Sequence, residues 1–280
     1  MSNLKFAAVI VIYNKKVQES ITCKNLEKIK KDRIDIYIVD NSDKDYGNKN
    51  VCETMGYFFI NMNGNKGLSK AYNRAIDNII DQDAIVLLDD DTEVAKDYFD
   101  VLENSMMENE SADIFAPIVY GQDGIIYSPN KFNFLRNKFI RDENEKIDQK
   151  DFNAIASCLA IRTRVFESYR FNEALFIDQV DQYFCYEQRQ LNKKFVKMNV
   201  SIHQNFYQRG NKLDKKSGWR RMKLRLRDIM VHAKLMGGIK YKILGIVKNY
   251  CLSVQIGLKC KSFIVLLKGI GLSTLLIFKS

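Results

Sequence analysis

The chain has 280 residues, 46% apolar and 28% charged, with 2 prolines and 14 glycines. That excludes a disordered or low-complexity chain and leaves room for one large core or two small ones. The net charge is +10, but it is unevenly carried: residues 1–188 hold 23 Lys and Arg against 32 Asp and Glu, whereas residues 189–280 hold 21 against 2.

In chain order, Phe6–Ile12 is an apolar run that predicts a first strand, and Val17–Ile29 follows with helical spacing. Ile34–Val39 predicts a second strand, stopped by Asp40, Asn41 and Ser42, and Tyr57–Ile60 a third. Leu68, Ala71, Tyr72, Ala75, Ile76, Ile79 and Ile80 recur on one helical face. Ala84–Leu88 is apolar on both faces, which predicts a buried central strand. A helix is expected over roughly 95–109. The succession predicts an α/β fold, a mostly parallel sheet flanked by helices. Further on, Asp113–Tyr120, Phe152–Arg162 and Phe195–Ile202 predict strands, Asn130–Lys150 a loop, and the pattern is helical from Lys216 to the end.

The central strand runs directly into Asp89, Asp90 and Asp91. Ligands of open α/β sheets sit beyond the carboxyl ends of strands. Three adjacent acids there repel one another unless a cation is near. Asp89 and Asp91 point the same way in extended chain, and hard oxygen ligands suit Mg²⁺ or Mn²⁺ bound to substrate phosphates. An acidic turn before a helix is the plainer alternative. Asp40-Asn41-Ser42 can receive a base and ribose, or simply form a turn. Asn65-Lys66-Gly67 opens a helix, where Asn65 can cap and a helix start can also take an anion. Asn73, mid-helix, is either solvated or facing a donor. Asp178 and Asp181 are three apart at a helix start, where a carboxylate can act as general base or serve as ordinary N-terminal charge. His203 follows a strand and suits a Mn²⁺-type site, although a lone histidine is more often structural.

The six cysteines (Cys23, Cys52, Cys158, Cys185, Cys251 and Cys260) form no C-x-x-C pair, and no secretory signal precedes them. Free thiols and a cytoplasmic location are expected. The basic last third points to an anionic partner. Lys216, Arg220, Lys223, Arg227 and Lys234 fall within about 60° on a helical wheel. Trp219, Met222, Leu226 and Ile229 form an adjacent apolar stripe. That pattern predicts a basic amphipathic helix on a membrane surface, or a solvated basic face over a packed one. The longest uncharged run near the end, Gly269–Phe278, is ten residues, and a spanning helix needs about 20. The tail is therefore expected to lie on an anionic membrane and not to cross it.

With these residues assembled, the chain resembles the family 2 glycosyltransferases of the GT-A fold, rhamnosyltransferase-like members included. The resemblance runs from about Phe6 to about His232 and is looser over 113–150. It is carried by Val11-Ile12-Tyr13-Asn14, Val39-Asp40-Asn41-Ser42, Asn65-Lys66-Gly67 through Asn73-Arg74-Ala75, Asp89 and Asp91 as a D-x-D, Ser157 through Phe166, and Phe176-Ile177-Asp178-Gln179-Val180-Asp181. It implies a Rossmann-like GT-A domain over 1–215, with a nucleotide-sugar half at about 1–112 and an acceptor half at about 113–215. A basic helical extension would fill 216–280.

The resemblance further implies an inverting transfer from a nucleotide-diphosphate sugar to a saccharide acceptor, in capsule or O-antigen synthesis. The acceptor would be lipid-linked, at the inner face of the cell membrane. Asp91, His203 and Asp89 would hold Mg²⁺ or Mn²⁺. Tyr13, Asn14, Asp40, Asn41, Asn65, Gly67, Asn73, Asp89 and Asp90 would bind the donor, and Asp178 or Asp181, with Asp178 favoured, would be the base. Many members have two adjacent acids where this chain has Asp178-Gln179, and an arginine where it has Glu187. The donor expected is dTDP-rhamnose, with UDP-galactofuranose or a UDP-hexose as alternatives. A dehydrogenase would want G-x-G-x-x-G after the first strand, where Tyr13-Asn14-Lys15-Lys16 stand. A non-catalytic basic protein binding membrane or nucleic acid remains the alternative of another class, although no nucleic-acid motif is present.

Overall fold

The computed structural model describes residues 4–29, 32–206 and 213–279. Strands β1 (Phe6–Ile12), β2 (Ile34–Asp40), β3 (Phe58–Asn61) and β4 (Ala84–Leu88) form a parallel block of an eight-stranded sheet. Next to β4 lies β10 (Leu159–Arg162), antiparallel, then β5 (Ile114–Gly121) and β11 (Phe195–Gln204), which also pair in parallel, with β6 (Ile126–Ser128) paired to β5. The sheet is thus mixed and mostly parallel.

The double-sided apolar runs are explained by two cores, one on each face. Along β1, Ala7 and Val9 enter one and Phe6, Ala8, Ile10 and Ile12 the other; along β4, Ile85 and Leu87 alternate with Ala84, Val86 and Leu88. Full burial of each large member contributes about 1.5–3 kcal/mol. Helices α1 (Ile21–Ile29) and α4 (Tyr98–Glu108) cover one face, and α3 (Leu68–Ile76) and α5 (Val180–Gln190) the other.

Several segments depart from expectation. A helix, α2 (Asn48–Met55), stands between β2 and β3, where the sequence predicted none; it buries only Asn48 and Cys52, too few positions for a readable stripe. The expected helix face over 68–80 ends at Ile76, and Ile80 is 86% exposed. The expected loop 130–150 contains strands β7 (Asn130–Lys131) and β8 (Lys138–Phe139), which join β9 (Phe152–Asn153) in a small antiparallel sheet. The run Phe152–Arg162 is therefore two strands, broken at Ser157-Cys158, where Cys158 has φ of 58°.

The last third forms α6 (Lys215–Met236), α7 (Gly238–Lys259) and α8 (Phe263–Lys279). Asp214 caps α6 by accepting from Ser217 N at 2.8 Å. Gly237, with φ of 76°, separates α6 from α7, and Gly238, with φ of 75°, opens α7. The apolar stripe of Trp219, Met222, Leu226 and Ile229 packs on α7 and α8, against Leu252, Ile256 and Val265. Ala233 and Met236 join the core beneath the sheet. So α6 has a solvated basic face over a packed one. Among the described residues no helix is long and apolar enough to cross a membrane. The cysteines described are free, and Cys251 alone is exposed.

Candidate active site at the carboxyl edge of the sheet

Parallel pairing aligns the ends of the central strands. Ile12 sits opposite Asp40, and Ile10 opposite Leu88, so Tyr13, Asn41 and Asp89 leave the sheet along one edge.

The acid turn is held from behind. Thr22 Oγ1 donates to the carbonyls of Asp89 (2.6 Å) and Thr92 (2.9 Å), and Ser20 Oγ to that of Asp90 (2.8 Å). Asp89 Oδ2 accepts from Ser157 Oγ and from Gln204 Nε2 at 2.9 Å. Asp90 pairs with Lys15 at 2.7 Å. Asp91 is exposed and has no ion pair among the described residues; partial burial together with the charges of Asp89 and Asp90 raises its carboxyl above the usual range. Surplus negative charge on an all-oxygen donor set fits a hard divalent cation. The described residues contain no group of three or more His, Cys, Asp or Glu able to hold a metal. Such an ion would therefore need ligands from a substrate and water, as Mg²⁺ commonly does.

His203 does not face Asp89. Side chains alternate along β11: Gln204 reaches Asp89, so His203 faces the other way, where its ring stacks on Tyr120 at 5.4 Å. Its backbone bridges to Glu93. The strand lies where expected, but the residue it delivers to the acids is an amide.

The rim over β1–β3 gathers most of the predicted donor residues. Asn14 N donates to Ser42 Oγ at 2.8 Å, and Tyr13 Oη and Asn14 Nδ2 both donate to Asp43 Oδ2. Asp40 is 6% exposed and accepts from Ser42 N and Asn48 Nδ2, leaving part of its four-site accepting capacity. Asn41 shapes the next turn, donating to Asn65 Oδ1 and accepting from Lys66 N. Asn65 does not cap α3. Its side chain closes the turn onto Gly67 N, and Gly67 itself is the cap residue, with φ of 90°. A Cβ on Gly67 would lie 2.7 Å from the Phe176 carbonyl oxygen. Asn73 is neither solvated nor open to a donor: its amide bonds Phe171 N and O and the Glu173 carboxylate.

The segment Phe176–Asp181 is clamped from two sides. From α3, Leu68 N donates to Phe176 O and Ser69 Oγ to Leu175 O. From α6, the fully buried Asp228 accepts from the backbone N–H of Phe176, Ile177 and Asp178 at 3.2, 2.8 and 2.9 Å. Asp228→Ala would orphan three donors and is expected to cost about 3 kcal/mol or more, read as a lower urea midpoint. Asp228→Asn, which keeps one acceptor oxygen, should lose less.

The two candidate bases differ sharply. Asp178 forms an ion pair with Arg225 and accepts from Gln179 Nε2 at 2.6 Å. Burial alone would raise its carboxyl, but Arg225, Arg221 and the Gln179 bond outweigh it and hold it at about 2. A carboxylate so paired is a weak base and poorly suited to take a proton, which counts against the expected preference for Asp178. Asp181 is raised to about 7, first by burial, then by the charge of Asp178. Gln179 is also reached from α7: Lys248 Nζ donates to its Oε1 at 3.2 Å, and burial lowers Lys248 to about 8.

Sequence reasoning missed Ser157, Gln204, Arg221, Arg225, Asp228 and Lys248. A signal existed for three of them: Arg221, Arg225 and Asp228, with His232, recur at i, i+4, i+7 and i+11 on a face of α6 distinct from its basic stripe.

Residues 7–170, more than half of the chain, match the family model Glycosyl transferase family 2. Among solved structures the fold is similar to S. aureus TarS, at 13% identity and TM-score 0.52, covering 90% of this chain and 49% of that one. It is similar to GalNAc-T7 with UDP, GalNAc and Mn²⁺, at 14% identity and TM-score 0.58, covering 96% and 56%. It is also similar to the mannosyltransferase PcManGT from Pyrobaculum calidifontis in complex with GDP-Man and Mn²⁺, at 10% identity and TM-score 0.55, covering 97% and 73%. The chain spans about half the length of the first two, and at these identities the likeness is one of fold. No curated protein matches the chain significantly. The matched model, the GT-A neighbours and the acid turn at the end of β4 together establish that the chain belongs to glycosyl transferase family 2.

Proposed function

We propose that the chain transfers a sugar, with inversion, from a nucleoside-diphosphate donor to an acceptor hydroxyl, and that Asp181 is the base. The observation that carries this reading is the acid turn at the end of β4, where Ser157 and Gln204 hold the Asp89 carboxylate. The choice of base follows from the Arg225 ion pair, which holds Asp178 low while burial and the Asp178 charge raise Asp181 to about 7. A base poised near the working pH is the efficient one. Asp181 takes the acceptor proton as the hydroxyl oxygen bonds to the anomeric carbon. The bond from that carbon to the diphosphate oxygen breaks, and its electron pair leaves with the diphosphate.

Asp89 and Asp91 would hold a divalent metal, Mg²⁺ or Mn²⁺. Bound there, it would offset the charge of the leaving diphosphate. Ser157 and Gln204 fix the Asp89 carboxylate. Arg225 and Arg221 keep Asp178 ionised, and that charge in turn raises Asp181. Asp40 and Asn41, with Tyr13, Asn14, Asn65 and Gly67, form the floor for base and ribose. Neighbours of the same fold carry UDP, UDP-GlcNAc or GDP-Man, which supports a nucleotide-sugar donor. The Phe176-Ile177-Asp178 pattern favours dTDP-rhamnose among them, with UDP-galactofuranose or a UDP-hexose as alternatives. A lipid-linked saccharide at the inner membrane face, in capsule or O-antigen assembly, is the acceptor most consistent with the basic last third.

Purified protein should hydrolyse or transfer from one of dTDP-rhamnose, UDP-galactofuranose, UDP-hexoses or GDP-mannose in the presence of Mn²⁺ or Mg²⁺, and chelation should abolish it. Turnover indifferent to chelator would remove the metal from this reading, and no turnover or binding of any sugar nucleotide would remove the reading itself.

A further inference from the structure

The stripe of α6 that the sequence marks for a membrane is buried against α7 and α8. A different apolar surface is open. Of the eighteen exposed large apolar side chains among the described residues, ten lie on α7 and α8. On α7 the most open are Ile239 (72%) and Leu258 (71%), with Ile243 and Val247 between them. Their spacing confines them to about 100° of the helix. On α8, Phe263, Leu267 and Phe278 repeat the pattern, Phe278 at 84% exposed.

The two stripes share one side of the hairpin. Tyr250 and Thr274, which fall within the respective stripes, are hydrogen-bonded at 2.8 Å. The helices approach closely enough that a Cβ on Gly257 would lie 2.7 Å from Leu266. The opposite side of α7 is occupied: Asn249 donates to Leu226 O, Leu252 and Ile256 are buried, and Lys248 reaches Gln179.

We infer that this outer face of the α7–α8 hairpin seats the protein on an anionic lipid bilayer, lying in the interface plane. Charge selects the occupant. After Asp228 the sequence contains eight lysines and no Asp or Glu. Lys240 and Lys242 flank the α7 stripe, and Lys259 and Lys261 stand at the turn between the helices. Apolar residues flanked only by cations match acyl chains beneath anionic headgroups. A second copy of the same face would bring lysines against lysines. No described helix is long and apolar enough to cross, and helices apolar on one outer side suit a position in the interface plane. The inference rests on the transferase reading only for the place of the acceptor, and the lipid contact itself does not require it.

The test uses the whole chain with vesicles of mixed phosphatidylglycerol and phosphatidylcholine, against phosphatidylcholine alone. The protein should float with the anionic vesicles, and salt should weaken the association. The double variant Ile243→Asp, Leu267→Asp should lose about tenfold or more of that binding. Both positions are solvent-facing, so its melting temperature and donor turnover should match those of the unaltered protein. Failure of the unaltered protein to float, equal flotation of the variant, or a dimer in light scattering that the variant dissolves would each overturn the proposal. Donor turnover on the same samples keeps the two readings apart: a chain that floats yet turns over no sugar nucleotide overturns only the transferase assignment.

Discussion

Asp181→Asn is expected to lower the transfer rate by about 10²–10⁴-fold, the usual loss on removing a general base, and at the same time to stabilise the fold at alkaline pH. The carboxyl is raised to about 7 by burial and by Asp178, above its value of about 3.9 in an unfolded chain. Stability attached to a raised acid is complete below the unfolded value and is lost as pH rises through the folded one. The native protein therefore carries a growing penalty between about pH 4 and pH 7, constant above that, and asparagine escapes it. Melting curves at pH 5 and pH 8 should show a larger gain at pH 8. The rate of the native enzyme should rise with pH to a plateau beyond about pH 7. Asp178→Asn removes the like charge, so its rate limb should move to lower pH. A limb unmoved in that variant, or near-native transfer by Asp181→Asn, would return the base to another residue.

Asp91→Ala is expected to cost about 10³-fold or more in donor turnover, several kcal/mol of charge stabilisation at the leaving group. The fold should be untouched. Asp91 is exposed and without an ion pair among the described residues, and its neighbours Asp89 and Asp90 repel it, so the metal-free variant should melt no lower than the native chain. Calorimetry with UDP and Mn²⁺ should show weakened, metal-independent binding. Native-like turnover in this variant would sink the metal assignment.

The sheet was legible because its strands are written twice over. Phe6–Ile12 and Ala84–Leu88 are apolar on both faces, and Ile34–Val39 is so except at Asp35; the second and fourth strands stop at an aspartate, so strand and edge are read together. The acids at the end of β4 were legible for the same reason. What failed was information held by distant partners. Residues 130–131, 138–139 and 152–153 form strands only by pairing with one another, and none is long enough to show a period. Whether His203 or Gln204 faces Asp89 depends on the phase of β11 against its neighbours, which one strand alone cannot reveal. The pairing that sets Asp178 apart from Asp181 was hidden because its partner, Arg225, lies 47 residues further on. The α6 stripe was read correctly as amphipathic, but its apolar side faces protein, and only the coordinates of α7 and α8 reveal that.

The loop that leads into α5 and carries Asp178 is fastened by its main chain, to Leu68 N of α3 and to the short Asp228 carboxylate of α6. Neither fastening uses a long, mobile side chain. The entry to α5 is thus stationed before either substrate arrives; if Asp181 in its first turn is the base, the entropy of placing it was settled when the chain folded and none of it falls on the encounter itself.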